Sequence, residues 1–440
     1  MTEQPHPLTL PNYRKLWIGQ AISTFGDRFT TIAIPILVYE VTGSSLQLGL
    51  AFMLQAVASL LFGLWAGAMS DRWNRQWTLM GSDMVRALLV LFVPLAMGLP
   101  ISTTLKLIIV YTLGFLIAAV GRFHTPAKLS LIPQLVSKDR LVDANAWDQG
   151  TTTFTQFGGY TLAGILIAST NVQTAFYIDA ATFLVSAVFV SQLQLSEEAK
   201  FAQLGTQTQS VLQSIKTGIT QAFTEPLTRA ALIVMTIIPL AFGGLQPLLL
   251  VFSEQILESE TVGFGLLNGV MALGAALGFI VCTRLIRNRH RGYLLSYGAF
   301  LFGVFQLLGI AVPVLFRSGP RYDKLISSTG GLEISTVLLL ITLPFFLLTS
   351  MANSALVLGV QTIIQEASPS AMIGRVSSVF GVMANAGVAL GAATTGLADV
   401  YGVGRVMMAW CVMVIVVGVA ALMAPIFRAS ALPTLAVTQD

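Results

Sequence analysis

The sequence predicts an all-α polytopic membrane protein with twelve transmembrane helices in two six-helix bundles. Three observations lead there. Of 440 residues only 10% are charged and 55% are hydrophobic, whereas a soluble domain carries about 25% charge. Mean hydropathy is +0.78. Apolar runs of about 20 residues, the length that crosses a hydrocarbon core, recur between short charged or Pro/Gly-rich breaks.

The runs fall at about 16–39, 47–70, 77–98, 104–124, 144–168, 174–193, 228–252, 262–283, 292–315, 334–363, 375–397 and 403–427. Before the first, MTEQPHPLTLP lacks a basic n-region and a cleavage pattern, so that span is expected to remain as a signal-anchor. An even number of spans puts both termini on one side. With the N-terminus in the cytoplasm, Arg14, Lys15, Arg72, Arg75, Lys128, Lys138, Arg140, Arg284, Arg287, Arg289 and Arg291 lie inside. Only Lys106, Arg317, Arg321, Lys324 and Arg405 fall outside, which fixes the expected orientation in the inner or plasma membrane. The formal charge of +4 belongs to these loops and does not indicate nucleic-acid binding.

Domain boundaries follow from the longest inner break. Residues 1–193 are read as an N-terminal six-helix bundle, 194–227 as a cytoplasmic linker and 228–440 as a C-terminal six-helix bundle. Within the linker, Val211, Leu212, Ile215, Ile219 and Phe223 recur at helical spacing among polar residues, predicting an amphipathic helix at the membrane surface. The segment 317–331 is an expected extracytoplasmic loop. Asp71-Arg72-Trp73-Asn74-Arg75 after span two and Thr283-Arg284-Leu285-Ile286-Arg287 after span eight share an Arg-x-x-Arg spacing, as an internal duplication would leave.

The sharpest motif is Gly67-Ala68-Met69-Ser70-Asp71-Arg72-Trp73-Asn74-Arg75. It resembles the G-x-x-x-D-R-x-x-R loop of the major facilitator superfamily. In that reading Gly67 permits close helix approach, Asp71 caps a helix start near Gly374 and Arg375, and Arg72 and Arg75 anchor the inner face. The plain alternative is an ordinary positive-inside loop. Phe25-Gly26-Asp27-Arg28, Ser82-Asp83-Met84-Val85-Arg86, Pro126-Ala127, Asp143-Ala144-Asn145, Ile178-Asp179-Ala180-Ala181-Thr182-Phe183 and Gly374-Arg375-Val376 are similar to the macrolide-efflux and enterobactin-exporter branch. That resemblance spans nearly the whole chain and implies a proton-driven exporter of amphipathic small molecules, with a cavity between the halves that opens alternately to each side. The branch also holds siderophore and lipid-related exporters. The antiporter pattern of span five is degraded: Gly159 and Gly164 remain, but Tyr160 stands where the superfamily has proline. Gly381, Gly387, Gly391 and Gly396 are read as packing glycines of span eleven.

Ionisable side chains inside a membrane are costly, so each is a functional candidate. Asp27 shares a helical face with Gln20, Ser23, Thr24 and Thr31, a stripe expected to face a water-filled cavity and to suit proton coupling. The competing reading is a static ion pair with an arginine on another helix. Asp179 is placed near the outer end of span six, as a gate charge or an anion on the helix dipole. Asp83 and Arg86, with Arg122 and His124, are read as a structural charge cluster behind the Asp71 loop.

Span five adds Gln149, Thr152, Gln156 and Tyr160, and span ten adds Ser350, Asn353, Ser354, Gln361 and Gln365. Such stripes suit a neutral, cationic or zwitterionic amphipathic ligand. Cys282 and Cys411 lie in apolar spans and define neither a disulfide framework nor a metal cluster. No P-loop, cofactor motif or nucleophile with its base is present, so catalysis is not expected and an ion gradient is the remaining energy source. The expected partners are an amphipathic small molecule, protons and the lipid bilayer, with the chain acting as a monomer. A rival of another class is a scaffold or sensor that has lost transport, favoured if the Asp27 stripe were dry and packed.

Overall fold

The computed structural model describes residues 6–70, 73–137, 140–195, 220, 223–224, 226–286, 291–318, 333–367 and 373–428. Among these no strand occurs. Twelve long helices follow one another: α1 Pro11–Thr42, α2 Ser45–Ser70, α3 Arg75–Gly98, α4 Thr103–Leu135, α5 Leu141–Ser169, α6 Val172–Ser191, α7 Pro226–Gln255, α8 Glu260–Ile286, α9 Arg291–Ser318, α10 Ile334–Ala367, α11 Ile373–Ala392 and α12 Val403–Met423. Eleven are long and apolar enough to cross a bilayer. The remaining one, α5, has 29 residues, but its run of Asp148, Gln149, Thr151, Thr152, Thr153, Thr155 and Gln156 keeps it polar.

Helix ends are set by local chemistry. Pro11 opens α1, where its missing N–H would have no partner in any case. Asn74, Ser102 and Asn171 cap α3, α4 and α6 by accepting a hydrogen bond from a backbone N–H three residues on. Gly43, at φ 60°, closes α1 in the left-handed conformation that a side chain would resist.

Two compact units result, one of Met1–Gln207 with Ser259–Gly269 and one of Thr208–Glu258 with Val270–Asp440. The linker positions Val211, Leu212, Ile215 and Ile219, and the loop beyond Ser318, lie outside the described residues. In the first unit α1 runs along α5 and α6, α3 along α4 and α6, and α2 along α4. Small residues bring α1 onto α6: a Cβ on Gly19 would stand 2.9 Å from Phe189 Cβ, and one on Gly26 would overlap the Thr182 hydroxyl. Gly159 lets the Arg28 stem pass, at 2.7 Å from where its Cβ would be, and Gly164 lies against the Gly265 backbone.

In the second unit α7 packs on α11 and α12, and α9 on α10 and α12. Leu232, Met235, Leu295, Leu356, Val360 and Ile363 form part of its core. Gly387 and Gly391 press α11 against α7, as read from the sequence, but the other two glycines do not. A Cβ on Gly381 would meet nothing within 4 Å. Gly396 lies beyond the end of α11, where the chain turns into a short helix, Leu397–Tyr401.

Candidate functional site

The polar stripe of α1 opens onto a cavity of about 500 Å³ within the first unit. Ser23, Thr24, Asp27 and Thr31 line it from α1, Gln55 from α2, Arg86 from α3, Arg122, His124 and Lys128 from α4, and Asp148, Gln149 and Thr152 from α5. Pro126 shapes the α4 wall, because it has no N–H to give the carbonyl of Arg122 one turn earlier. In a membrane helix such a break is tolerated where it borders a polar cavity.

Arg86 is the hub. Its Nη2 donates to Asp83 Oδ1 at 2.7 Å, its Nη1 reaches both Asp27 oxygens at 3.4 Å, and its guanidinium carbon lies 4.2 Å from the centre of the Phe183 ring. Asp83 Oδ2 accepts from Ser186 Oγ at 2.7 Å, and Ser186 Oγ accepts from Gln20 Nε2 at 3.2 Å. One connected network therefore ties α1, α3 and α6. Its two acids differ: the Asp83 side chain is 0% exposed, whereas that of Asp27 is 34% exposed and looks into the cavity.

Three sequence-based placements need correction. Gln20 shares the face of Asp27 by helical arithmetic but is buried against α6, where Ser186 takes its amide; it does not line the cavity. Asp179 is not a water-reachable outer charge. It sits two turns into α6, fully buried and opposite Gly26, beyond the first turn over which a helix dipole acts; Thr182 Oγ1 lies 3.4 Å from its Oδ1. Asp83, Arg86, Arg122 and His124 are not a group set apart from Asp27. Arg86 joins Asp83 to Asp27 directly, His124 Nε2 lies 3.5 Å from Asp83 Oδ1, and Arg122 opens onto the same cavity.

Other contributors had no signal in a single helix. Arg28, next to Asp27, donates to Tyr160 OH at 3.0 Å and lies 5.5 Å from the centre of that ring, so the tyrosine at the proline position of α5 holds a cavity arginine. Lys128 of α4 donates to both oxygens of Asp148 of α5 at 3.0 Å, across 20 residues of sequence. Gln156 lies on α5 outside the cavity lining, partly buried. In the second unit Ser354 donates to the Ala275 carbonyl at 2.8 Å and serves packing; Asn353 is partly buried and Gln361 exposed. Of the expected gate motif, Arg75 is buried at the start of α3. Asp71 and Arg72 lie outside the described residues, as do the side chain of Arg375 and the surroundings of Gly67 and Gly374.

A charged cavity walled by long apolar helices is the layout of a small-molecule transporter, and the profile of the Major Facilitator Superfamily matches residues 16–392. The chain belongs to the Major Facilitator Superfamily. It is similar to macrolide efflux protein A of Streptococcus pyogenes, at 22% identity over 397 residues, 88% of this chain and 89% of that protein. It is also similar to the putative bacilysin exporter BacE of Bacillus subtilis (strain 168), at 23% identity, 72% of this chain and 79% of that one. Among solved structures, a bacterial homologue of the iron transporter ferroportin in an inward-facing state shares the fold with TM-score 0.71 at 15% identity, covering 96% of this chain and all of the other. This superfamily member is thus a multi-pass membrane transporter with efflux proteins among its relatives.

Proposed function

We propose that this transporter exports an amphipathic small molecule from the cytoplasm across the inner or plasma membrane, both termini being cytoplasmic, and that it does so by proton antiport with alternating access of two six-helix halves. The observation that supports this reading is Asp27, a carboxylate inside a membrane-crossing helix, open to a polar cavity and paired with a buried arginine at the long distance of 3.4 Å. A proton arriving on Asp27 would release that pair. Arg86 would stay in place, because Asp83 holds it at 2.7 Å and the Phe183 ring covers it. The cavity would gain one positive charge with no rearrangement of its wall, a small event that can bias a two-state carrier. The printed names of the relatives, an efflux protein and an exporter, support the outward direction.

The test is transport by purified Asp27→Asn protein in vesicles with and without an imposed pH gradient. The amide keeps shape and hydrogen bonding but cannot titrate. Gradient-driven accumulation should vanish while downhill exchange persists. Full accumulation by this variant would remove Asp27 from coupling.

A further inference from the structure

The cavity carries more cations than its acids can pair. Three arginines and a lysine line it, Arg28, Arg86, Arg122 and Lys128, together with His124, against the carboxylates of Asp27 and Asp148. Lys128 is bound to both oxygens of Asp148. Arg86 serves Asp27 and, behind it, Asp83. Arg28 has only neutral hydrogen-bond acceptors, the Thr24 carbonyl at 3.3 Å and the Tyr160 hydroxyl. Among the described residues Arg122 has neither a hydrogen bond nor an ion pair, and it is exposed where it faces the cavity. The remaining buried acid, Asp179, stands within 4.0 Å of no cation among the described residues; Thr182 Oγ1, which donates to the Asp179 backbone carbonyl at 2.7 Å, lies 3.4 Å from its Oδ1. Charges within membrane helices are normally paired with one another. Two arginines with no acid in hydrogen-bond or ion-pair contact, opening on one cavity of about 500 Å³, therefore leave a place for an anion from outside the chain. A guanidinium offers a planar fork that takes two oxygens of a carboxylate, phosphate or sulfonate at once.

We propose that Arg122, assisted by Arg28, is an oxyanion subsite of this cavity, and that the transported amphipath carries an acidic group there. The inference rests on reading the cavity as the transport site. It narrows the neutral, cationic and zwitterionic ligands expected from the polar stripes to molecules with an acidic group, whether anionic or amphoteric. A fully esterified or purely cationic compound would leave Arg122 desolvated without a partner.

Charge-selective labelling tests the subsite without requiring turnover, so a failure of transport and a failure of this proposal are told apart. A cysteine is placed on the cavity wall one turn from the arginine, as Thr125→Cys in the full chain in phosphatidylcholine vesicles, with labelling of Cys282 and Cys411 subtracted. It is treated with sulfonatoethyl or trimethylammonioethyl methanethiosulfonate, two small reagents of opposite charge. Relative to a free thiol, the anionic reagent should react about tenfold faster than the cationic one, since a cleft lined by one sign of charge concentrates the opposite ion by that order. Adding Arg122→Gln should abolish most of the preference, and Arg122→Lys should keep most of it. Octanoate should slow labelling by the uncharged N-ethylmaleimide more than octylamine does, and lose that advantage in Arg122→Gln. The proposal is overturned if neither reagent labels the site, if the cation reacts as fast as the anion, or if Arg122→Gln leaves the ratio unchanged. Loss of the preference on adding phosphatidylglycerol would place a lipid headgroup on Arg122 and overturn the assignment to a transported molecule.

Discussion

Replacing Arg86 by glutamine separates the structural half of the network from its titratable half. The guanidinium holds Asp83, whose side chain is 0% exposed, at 2.7 Å, and holds Asp27, 34% exposed, at 3.4 Å. In Arg86→Gln the buried carboxylate keeps the Ser186 hydroxyl but loses its countercharge, a change that costs about 3–5 kcal/mol. Asp27→Asn breaks only the long, partly solvated pair, worth about 0.2–1 kcal/mol. The expected order of thermal stability in detergent is therefore parent, then Asp27→Asn close behind, with Arg86→Gln several degrees lower. Adding Asp83→Asn to Arg86→Gln should recover most of the loss, because it removes the stranded charge. Unfolding can be followed with a thiol-reactive fluorogenic dye, since the two free cysteines, Cys282 and Cys411, are both buried. Parent-like melting of Arg86→Gln, or a further loss on adding Asp83→Asn, would refute the assignment of Arg86 as the countercharge of a buried acid.

Gly26→Ala should destabilise the protein by about 1–3 kcal/mol, because the new methyl overlaps Thr182 and meets Asp179 Oδ1 at 2.9 Å. Gly63→Ala, where a Cβ would meet nothing within 4 Å, should be neutral or slightly stabilising in the same melting assay. Asp71→Asn, argued from the loop motif alone, should slow uptake of substrate into inverted vesicles while membrane expression stays at the parent level; unchanged rates would reduce the motif to an ordinary positive-inside loop.

Spans were legible because crossing a bilayer imposes one requirement, a run of apolar residues, that needs no knowledge of neighbours. The placement of Ser23, Thr24, Asp27 and Thr31 on one wall of a cavity followed from helical periodicity in the same way. Periodicity stops at a single helix, and there the misplacements begin. Nothing within α1 could show that Ser186 would draw Gln20 onto α6. The cavity also subtends a wider arc of α1 than one stripe, so Arg28 lines it as well. Distance from a helix end does not decide the exposure of Asp179, whose burial depends on the close approach of Gly26 from α1. Pairs such as Lys128 with Asp148 exist only once α4 and α5 are side by side.

The polarity of α5 has a consequence for how the protein is made. A segment with this many threonines and glutamines partitions poorly into lipid on its own when it leaves the translocon. α1 offers it partners at three levels along one direction: Tyr13 OH to the Ala144 carbonyl at 2.8 Å, Trp17 Nε1 to Thr151 Oγ1 at 2.9 Å, and Arg28 Nη1 to Tyr160 OH at 3.0 Å. α1, which precedes α5 in the chain, thus supplies the donors that lipid lacks. Biogenesis of the N-terminal unit is then a paired event, and damage to Tyr13 or Trp17 would surface as failed integration of α5 before any loss of transport could be measured.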